Sequence, residues 1–249
     1  MVGVAILFQL LKAKMMTLEH KKIVIAGGTS GIGLSTALLL LNKGASVTVT
    51  GRDAEKRRSA SAKGLQTAEV DSTNPEALQA FFQSLGNIDH LVIALGSNKG
   101  LGNFTELSLD DLRKGFEEKY WPHLNTLKSA IPFMNPAGSI TLVTAITATA
   151  KFPGTSGIGS VNGALEMMVP IIAKEIAPVR INAVSPGVVD TPWWDFMPAD
   201  SKQQAFEGYA SQIAVGRIGR PEDIAYAILF LAQNDYMTGK ILPCDGGLS

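Results

Sequence analysis

One cysteine, three histidines and no surplus of either charge set the first limits on this chain of 249 residues. Cys244 alone excludes an internal disulfide framework. Together with the scattered His20, His90 and His123 it offers no metal-ligand spacing, so no metal is expected. Lys+Arg and Asp+Glu both number 22, which removes the electrostatic case for nucleic acid or an anionic membrane surface as a partner. The apolar run Val2–Leu11 is too short to span a bilayer. It has no basic residue before it and no small-residue cleavage site after it, which argues against a signal peptide. The run at residues 1–16 reads as a short surface helix rather than a membrane anchor. No repeat, low-complexity tract or linker divides residues 17–249, which read as one domain. The lack of targeting signals and disulfides points to the cytoplasm.

What is abundant is apolar character, 46% of residues, and glycine, 25 in all. The chain is organised around Ile23–Gly33, IVIAGGTSGIG. A β-branched run reads as a buried strand, the glycines as a tight turn, and Leu34–Leu41 as a helix. Such a turn lets a diphosphate approach backbone N–H groups and the positive end of a helix. By itself the stretch also fits an ordinary strand–helix turn. The spacing of Gly27, Gly31 and Gly33 is G-x-x-x-G-x-G rather than G-x-G-x-x-G.

Further along, Val47–Thr50, Leu65–Val70, Ile88–Leu95, Ser139–Val143, Arg180–Val184 and Ile241–Pro243 read as strands. Ala54–Lys63, Pro75–Leu85, Ser160–Ile176 and Pro221–Gln233 read as helices, with Pro170 expected to bend the third. Asp110–Met134 reads as one long helical region with possible kinks at Pro122 and Pro132, and Thr144–Lys151 as a loop.

The glycine loop, Arg180–Thr191 (RINAVSPGVVDT) and Gly216–Gly247, with its Gly-Arg-Pro-Glu-Asp and final Asp-Gly-Gly, together resemble the short-chain dehydrogenase/reductase (SDR) family from about residue 20 onward. That resemblance implies an α/β fold, a single Rossmann-type doubly wound domain with a seven-stranded parallel sheet and helices on both faces. It also implies a nicotinamide dinucleotide. Its cofactor positions fall here on Gly27, Thr29, Ser30, Gly31, Ile32 and Gly33, on Asp71, Ser72 and Gly96, and on Pro186, Gly187, Val188, Val189 and Thr191. The usual N-N-A-G at the end of the fourth strand is Ile93-Ala94-Leu95-Gly96, so only its glycine remains. Eighteen positions after Gly33, where NAD-preferring members carry a carboxylate, stands Gly51, followed by Arg52. A guanidinium there favours a 2′-phosphate, so NADP(H) is preferred over NAD(H). The competing reading of Arg52 is a solvated turn charge.

The family's chemistry rests on a Tyr, a Lys four residues later, a Ser about thirteen before the Tyr, and an Asn on the preceding long helix. The ammonium lowers the Tyr pKa and binds ribose, the phenol moves the proton, and the Ser holds the substrate oxygen. These positions align with Ile158, Asn162, Ala145 and Lys119. No Tyr lies between Tyr120 and Tyr209, so no shift of register restores the set. Asn162 can still hydrogen-bond ribose hydroxyls. Lys119 is the candidate replacement acid, set against a lysine that snorkels to solvent. Losing a positioned acid costs roughly 10²–10⁴ in rate, which slows hydride transfer without forbidding it. Three readings follow: an atypical oxidoreductase acting on a small apolar carbonyl- or quinone-like substrate, a non-catalytic dinucleotide-binding redox sensor or scaffold, and a non-redox enzyme that has kept the pocket.

Pro192–Gly208 is the expected lid over the substrate. Trp193, Trp194, Phe196 and Met197 suit a flat apolar ligand, or else pack internally or in a subunit contact. The resemblance further implies a homodimer or homotetramer and, because the family's first strand starts close to the N-terminus, an added arm at residues 1–16 with Met15 or Met16 as an alternative start.

Overall fold

The computed structural model describes residues 17–249. The expectation of a surface arm at residues 1–16 lies outside the described residues. Seven parallel strands form one sheet in the order β3-β2-β1-β4-β5-β6-β7. They are β1 (Lys22–Ala26), β2 (Ser46–Thr50), β3 (Gln66–Ala68), β4 (Ile88–Ile93), β5 (Met134–Val143), β6 (Arg180–Pro186) and β7 (Ile241–Cys244). β1 pairs β2 on one side, Ile25 opposite Val49, and β4 on the other, Ile25 opposite Val92. The strand order reverses at this point, so the crevice beyond the carboxyl ends of β1 and β4 is the natural ligand site.

Helices cover both faces, as an all-parallel sheet requires. Alternation along β1 sends Ile23 and Ile25 to one face and Val24 and Ala26 to the other. The first face packs on α1 (Gly31–Asn42) and α8 (Pro221–Gln233) through Leu40, Ile224 and Ile228. The second packs on α3 (Pro75–Leu85), α5 (Trp121–Ala130) and α6 (Ser156–Glu175) through Phe82, Leu127 and Val169. Full burial of each such side chain contributes about 1.5–3 kcal/mol. By length and apolarity α6 could cross a bilayer. In this fold it buries Val161, Leu165 and Val169. The remaining helices are α2 (Ala54–Ser61), α4 (Leu109–Gly115) and α7 (Ala199–Ala210).

The expected helical region Asp110–Met134 is not continuous. It comprises α4, a π-helical turn at Phe116–Tyr120, α5, and a 3₁₀ turn at Ile131–Phe133, and Met134 already belongs to β5. Pro122, near the start of α5, has no N–H to offer the preceding turn, and the N–H of Trp121 reaches back to the carbonyl of Phe116 instead. β5 likewise starts earlier than Ser139. Met134 pairs with Ile88, and the ladder then skips to Ser139 opposite His90, so the intervening Asn-Pro-Ala-Gly bulges out of register. β3 is shorter than Leu65–Val70 because it pairs only with β2, which ends at Thr50 opposite Ala68. α6 starts four residues before Ser160, its glycines serving close packing rather than a loop: a Cβ on Gly157 would lie 2.4 Å from the carbonyl oxygen of Gly100. The expected loop Thr144–Lys151 contains a 3₁₀ turn at Ile146–Ala148.

Candidate active site and cofactor cleft

Two adjoining hollows lie at the carboxyl ends of the strands, of about 410 and 270 Å³, and Gly27, Leu95 and Gly96 line both. Glycine is required at the turn between β1 and α1. Gly27 has φ +77°, and a Cβ on Gly33 would stand 2.2 Å from the carbonyl oxygen of Gly27. The first turn of α1 carries no acidic residue, and the side chain of its N-cap, Ser30, makes no capping hydrogen bond. The helix end therefore keeps its N–H groups and its positive potential for an anion. Ser30, Gly31, Ile32 and Gly33 line the larger hollow. Thr29 does not; its Oγ1 stands 2.9 Å from where a Cβ on Gly51 would be. A side chain at position 51 would collide with Thr29, which accounts locally for the missing carboxylate.

Nor does Asp53 supply that carboxylate. It caps α2, accepting from the backbone N–H groups of Glu55 and Lys56 at 2.9 and 3.0 Å, and the Lys56 N–H holds its pKa below the usual carboxylate range. Arg52 lines the smaller hollow with Asp71 and Ser72. Asp71 is held below its ordinary pKa chiefly by the backbone N–H of Thr73, with the Arg52 charge a lesser cause. Arg57, which the sequence reading did not single out, clamps this corner. Its Nη1 donates to the carbonyls of Gly51 and Arg52 at 2.9 and 2.6 Å, and its Nη2 pairs with Glu69. With Arg57 committed to the backbone, Arg52 is the guanidinium lining this hollow. Lys56, also missed, lines the larger hollow beside Ser30.

On the opposite wall Pro186, Gly187, Val188, Val189 and Thr191 line the larger hollow, held by the bridge between Val189 and Gly219. Trp193 and Trp194 line it as well. Both indoles are half-buried and bonded: Trp193 Nε1 donates to the Ser97 carbonyl at 2.9 Å, and Trp194 Nε1 to the Val189 carbonyl at 3.0 Å. Trp193 lies over Gly96, 3.5 Å from where a Cβ would sit. Phe196 and Met197 do not line the hollow. Phe196 packs on both indoles, and Met197 is tied by its N–H to the Trp194 carbonyl. The expected lid thus consists of a 3₁₀ turn, Pro192–Trp194, leading into α7, with Phe206 and Tyr209 backing Trp194.

The four positions expected to carry chemistry meet on the floor of the larger hollow, which Lys119, Ala145, Ile158 and Asn162 all line. Ile158 is 7% exposed and fills its position with hydrocarbon. Asn162 is fully buried; its Nδ2 donates to Thr147 Oγ1 and the Ile158 carbonyl at 3.1 and 3.0 Å, while its Oδ1 has no partner. Lys119 does not snorkel. Placed on the π-helical turn, it is 7% exposed and donates from Nζ to the Thr144 carbonyl at 3.3 Å. Burial pushes its pKa down to about 8, opposed by the charge of Glu166. Beneath it His123 accepts no proton in the ordinary range: burial and the Lys119 charge push its pKa down to about 3.

The residues present fit a nicotinamide dinucleotide on two counts. The glycine turn leaves no room for side chains where a diphosphate must approach, and the orphaned, buried Oδ1 of Asn162 wants a donor such as a ribose hydroxyl. Strand order, crevice and glycine turn define a Rossmann-type dinucleotide-binding protein. Residues 26–249 match the protein family described as Enoyl-(Acyl carrier protein) reductase, and the chain belongs to that family within the short-chain dehydrogenase/reductase oxidoreductases, which use a nicotinamide dinucleotide. It is 31% identical to 3-oxoacyl-[acyl-carrier-protein] reductase FabG of Thermotoga maritima, covering 94% of this chain and 99% of that one. Among solved structures, a small-chain dehydrogenase in complex with NADPH superposes with TM-score 0.82 at 29% identity, covering 92% and 99% of the two chains. A short chain oxidoreductase from Pseudomonas aeruginosa PAO1, described as containing an atypical catalytic center, superposes with TM-score 0.83 at 28% identity, covering 92% and 97%.

Proposed function

We propose that this chain is an NADP(H)-dependent oxidoreductase that moves hydride to or from a small apolar carbonyl- or quinone-like substrate, with Lys119 as its proton-moving group in place of the usual Tyr/Lys pair. The observation that carries this reading is a buried lysine facing the cavity whose other three expected polar positions are Ala145, Ile158 and Asn162.

Gly27, Ser30, Gly31 and Gly33 would hold the diphosphate, Arg52 the 2′-phosphate, Asp71 and Ser72 the adenosine end, Asn162 the ribose, and Pro186–Val189 with Thr191 the nicotinamide end. When bound in reduced form, the nicotinamide supplies a hydride. Leu101, Ile146, Phe152, Ile158 and Trp193 offer the substrate an apolar wall, which excludes water and strengthens every charge left inside. Lys119 then provides an N–H donor that burial makes easier to surrender, to an oxygen that gains charge as its carbon is reduced. A carbonyl substrate accords with relatives named 3-oxoacyl reductases, and NADP(H) with the NADPH complex of a structural neighbour.

The test mixes the protein with NADPH and a panel of quinones and activated carbonyls. Loss of absorbance at the reduced-nicotinamide band supports the oxidoreductase. Tight NADPH binding without turnover on any member favours the non-catalytic sensor instead. A homodimer or homotetramer accords with the exposed Trp121 on α5 and Met167 and Ile171 on α6, and sedimentation velocity reads it directly. A cytoplasmic site of action completes the reading.

A further inference from the structure

Glu166 is a carboxylate in an apolar helix, 7% exposed, that the cofactor cleft does not use. On α6 it follows Asn162 by one turn and Ile158 by two, so all three share a face. Its Oε1 accepts from the hydroxyls of Thr144 and Ser185 at 2.6 and 2.9 Å. Thr144 thus grips both buried charges at once: its hydroxyl donates to Glu166, and its carbonyl accepts from Lys119.

We propose that Glu166 is the positioning residue of Lys119: a counter-charge, fixed through Thr144, that keeps the ammonium charged and aimed at the cleft. The inference rests on Lys119 being the proton-moving group. A buried ammonium with one neutral acceptor would shed its proton and lose its value as a donor. Glu166 is the charge that opposes this. The other neighbours do not substitute for it. Thr144, the residue after β5, presents its carbonyl and hydroxyl, β6 presents the Ser185 hydroxyl, His123 on α5 stays neutral, and Glu118 on the same π turn accepts from Ser97 instead. In the reducing direction the hydride pair enters the substrate carbon, the C=O π pair moves onto oxygen, and an Nζ–H bond of Lys119 breaks as the O–H bond forms. The neutral amine is reloaded from water.

The test is an NMR titration of the full-length protein labelled at lysine Cε, with Lys119→Met assigning the resonance. The wild-type signal is expected to titrate near pH 8. In Glu166→Gln, whose amide oxygen can still accept from Thr144 and Ser185, the midpoint should fall by about one pH unit or more, roughly a tenfold loss of proton affinity. Thr144→Val, which keeps the carbonyl but removes the anchoring hydroxyl, should move it in the same direction, and decides the matter if Glu166→Gln does not fold. An unmoved midpoint overturns the proposal, whatever either variant does to stability. Turnover is read separately: absence of any NADPH oxidation would defeat the proposed reaction, while the midpoint still reports on Glu166.

Discussion

Replacing Lys119 by methionine removes a buried charge while keeping a flexible side chain of similar length, and it should make the protein more stable. The pKa of Lys119 falls from the ordinary 10.5 to about 8, and at 1.36 kcal/mol per pH unit that is a penalty of roughly 3 kcal/mol for holding the ammonium in the folded state. Its sign follows from proton counting. Between about pH 8 and 10.5 the unfolded chain keeps this proton and the folded chain has released it, so wild-type stability rises with pH across that window. Below pH 8 both states are protonated and the full penalty applies. Lys119→Met has no such slope. Urea unfolding followed by far-UV circular dichroism should therefore show Lys119→Met more stable at pH 7 by about 2–3 kcal/mol, the gap closing as pH approaches 10.5. Titrating groups that do not interact with Lys119 are common to both proteins and cancel; His123 and Glu166 are the two that sense its charge. A variant less stable than wild type at pH 7, or a gap that does not change with pH, would refute the reasoning. A stabilised variant that loses turnover would mark Lys119 as a residue kept at a cost to stability.

Arg52→Ala should weaken NADPH about tenfold to a hundredfold, the worth of roughly 1.5–3 kcal/mol of charge-assisted bonding, and leave NADH unchanged in calorimetric titration. Gly51→Asp alone should bind neither cofactor well, because its Cβ meets Thr29 at 2.9 Å, whereas Gly51→Asp with Thr29→Gly should gain NADH binding. Trp193 contacts Gly96 and bonds to Ser97, so Trp193→Phe should remove most of the fluorescence change on cofactor and ligand binding; Trp194→Phe, backed by Phe206 and Tyr209, should remove less.

The legible parts of the sequence were those whose physics is local. The glycine turn, the β-branched strands and the proline-started helices Pro75–Leu85 and Pro221–Gln233 declare themselves within a few residues, and the two helices have the expected bounds. The four chemical positions follow only from the family resemblance, by aligning its Lys-Ala-Ala-Leu on Asn162–Leu165 and its long helix on Phe116 and Ala130–Met134. What could not be read depends on tertiary partners or on backbone geometry that no run of residue types announces. Glu166 looks like one charge in an apolar helix until Thr144 and Ser185, 22 and 19 positions away, converge on it. A buried Glu on the same face as a buried Asn was the available signal. The inward turn of Lys119 depends on a π-helical turn that Pro122 imposes from the following helix. Arg57 reads as one of several exposed cations on α2, and only the carbonyls of Gly51 and Arg52 reveal its clamp.

Restoring the family's residues should fail if only three are restored. Ala145→Ser/Ile158→Tyr/Asn162→Lys supplies the hydroxyl, the phenol and the second lysine, but Asn162 is fully buried and lines the same hollow as Lys119. Two ammonium groups in one dry cleft cannot both stay charged, and Glu166 is a single counter-charge. The new lysine would then be the neutral one as readily as the old, and a neutral lysine does not lower the phenol's pKa. Adding Lys119→Asn removes the conflict. It also leaves Glu166 one helical turn from the ammonium that Asn162→Lys introduces, at the i, i+4 spacing, so the buried carboxylate keeps a partner. The fourfold variant should therefore reduce a carbonyl substrate at least about tenfold faster than the threefold one, a fraction of the roughly 10²–10⁴ that a positioned acid is worth. Single-turnover NADPH oxidation at pH 7 compares them, with circular dichroism confirming that both fold. A threefold variant that matches or exceeds the fourfold one would show that Lys119 does not share electrostatic ground with position 162, and the assignment of Lys119 to the reacting floor of the cleft would fall with it.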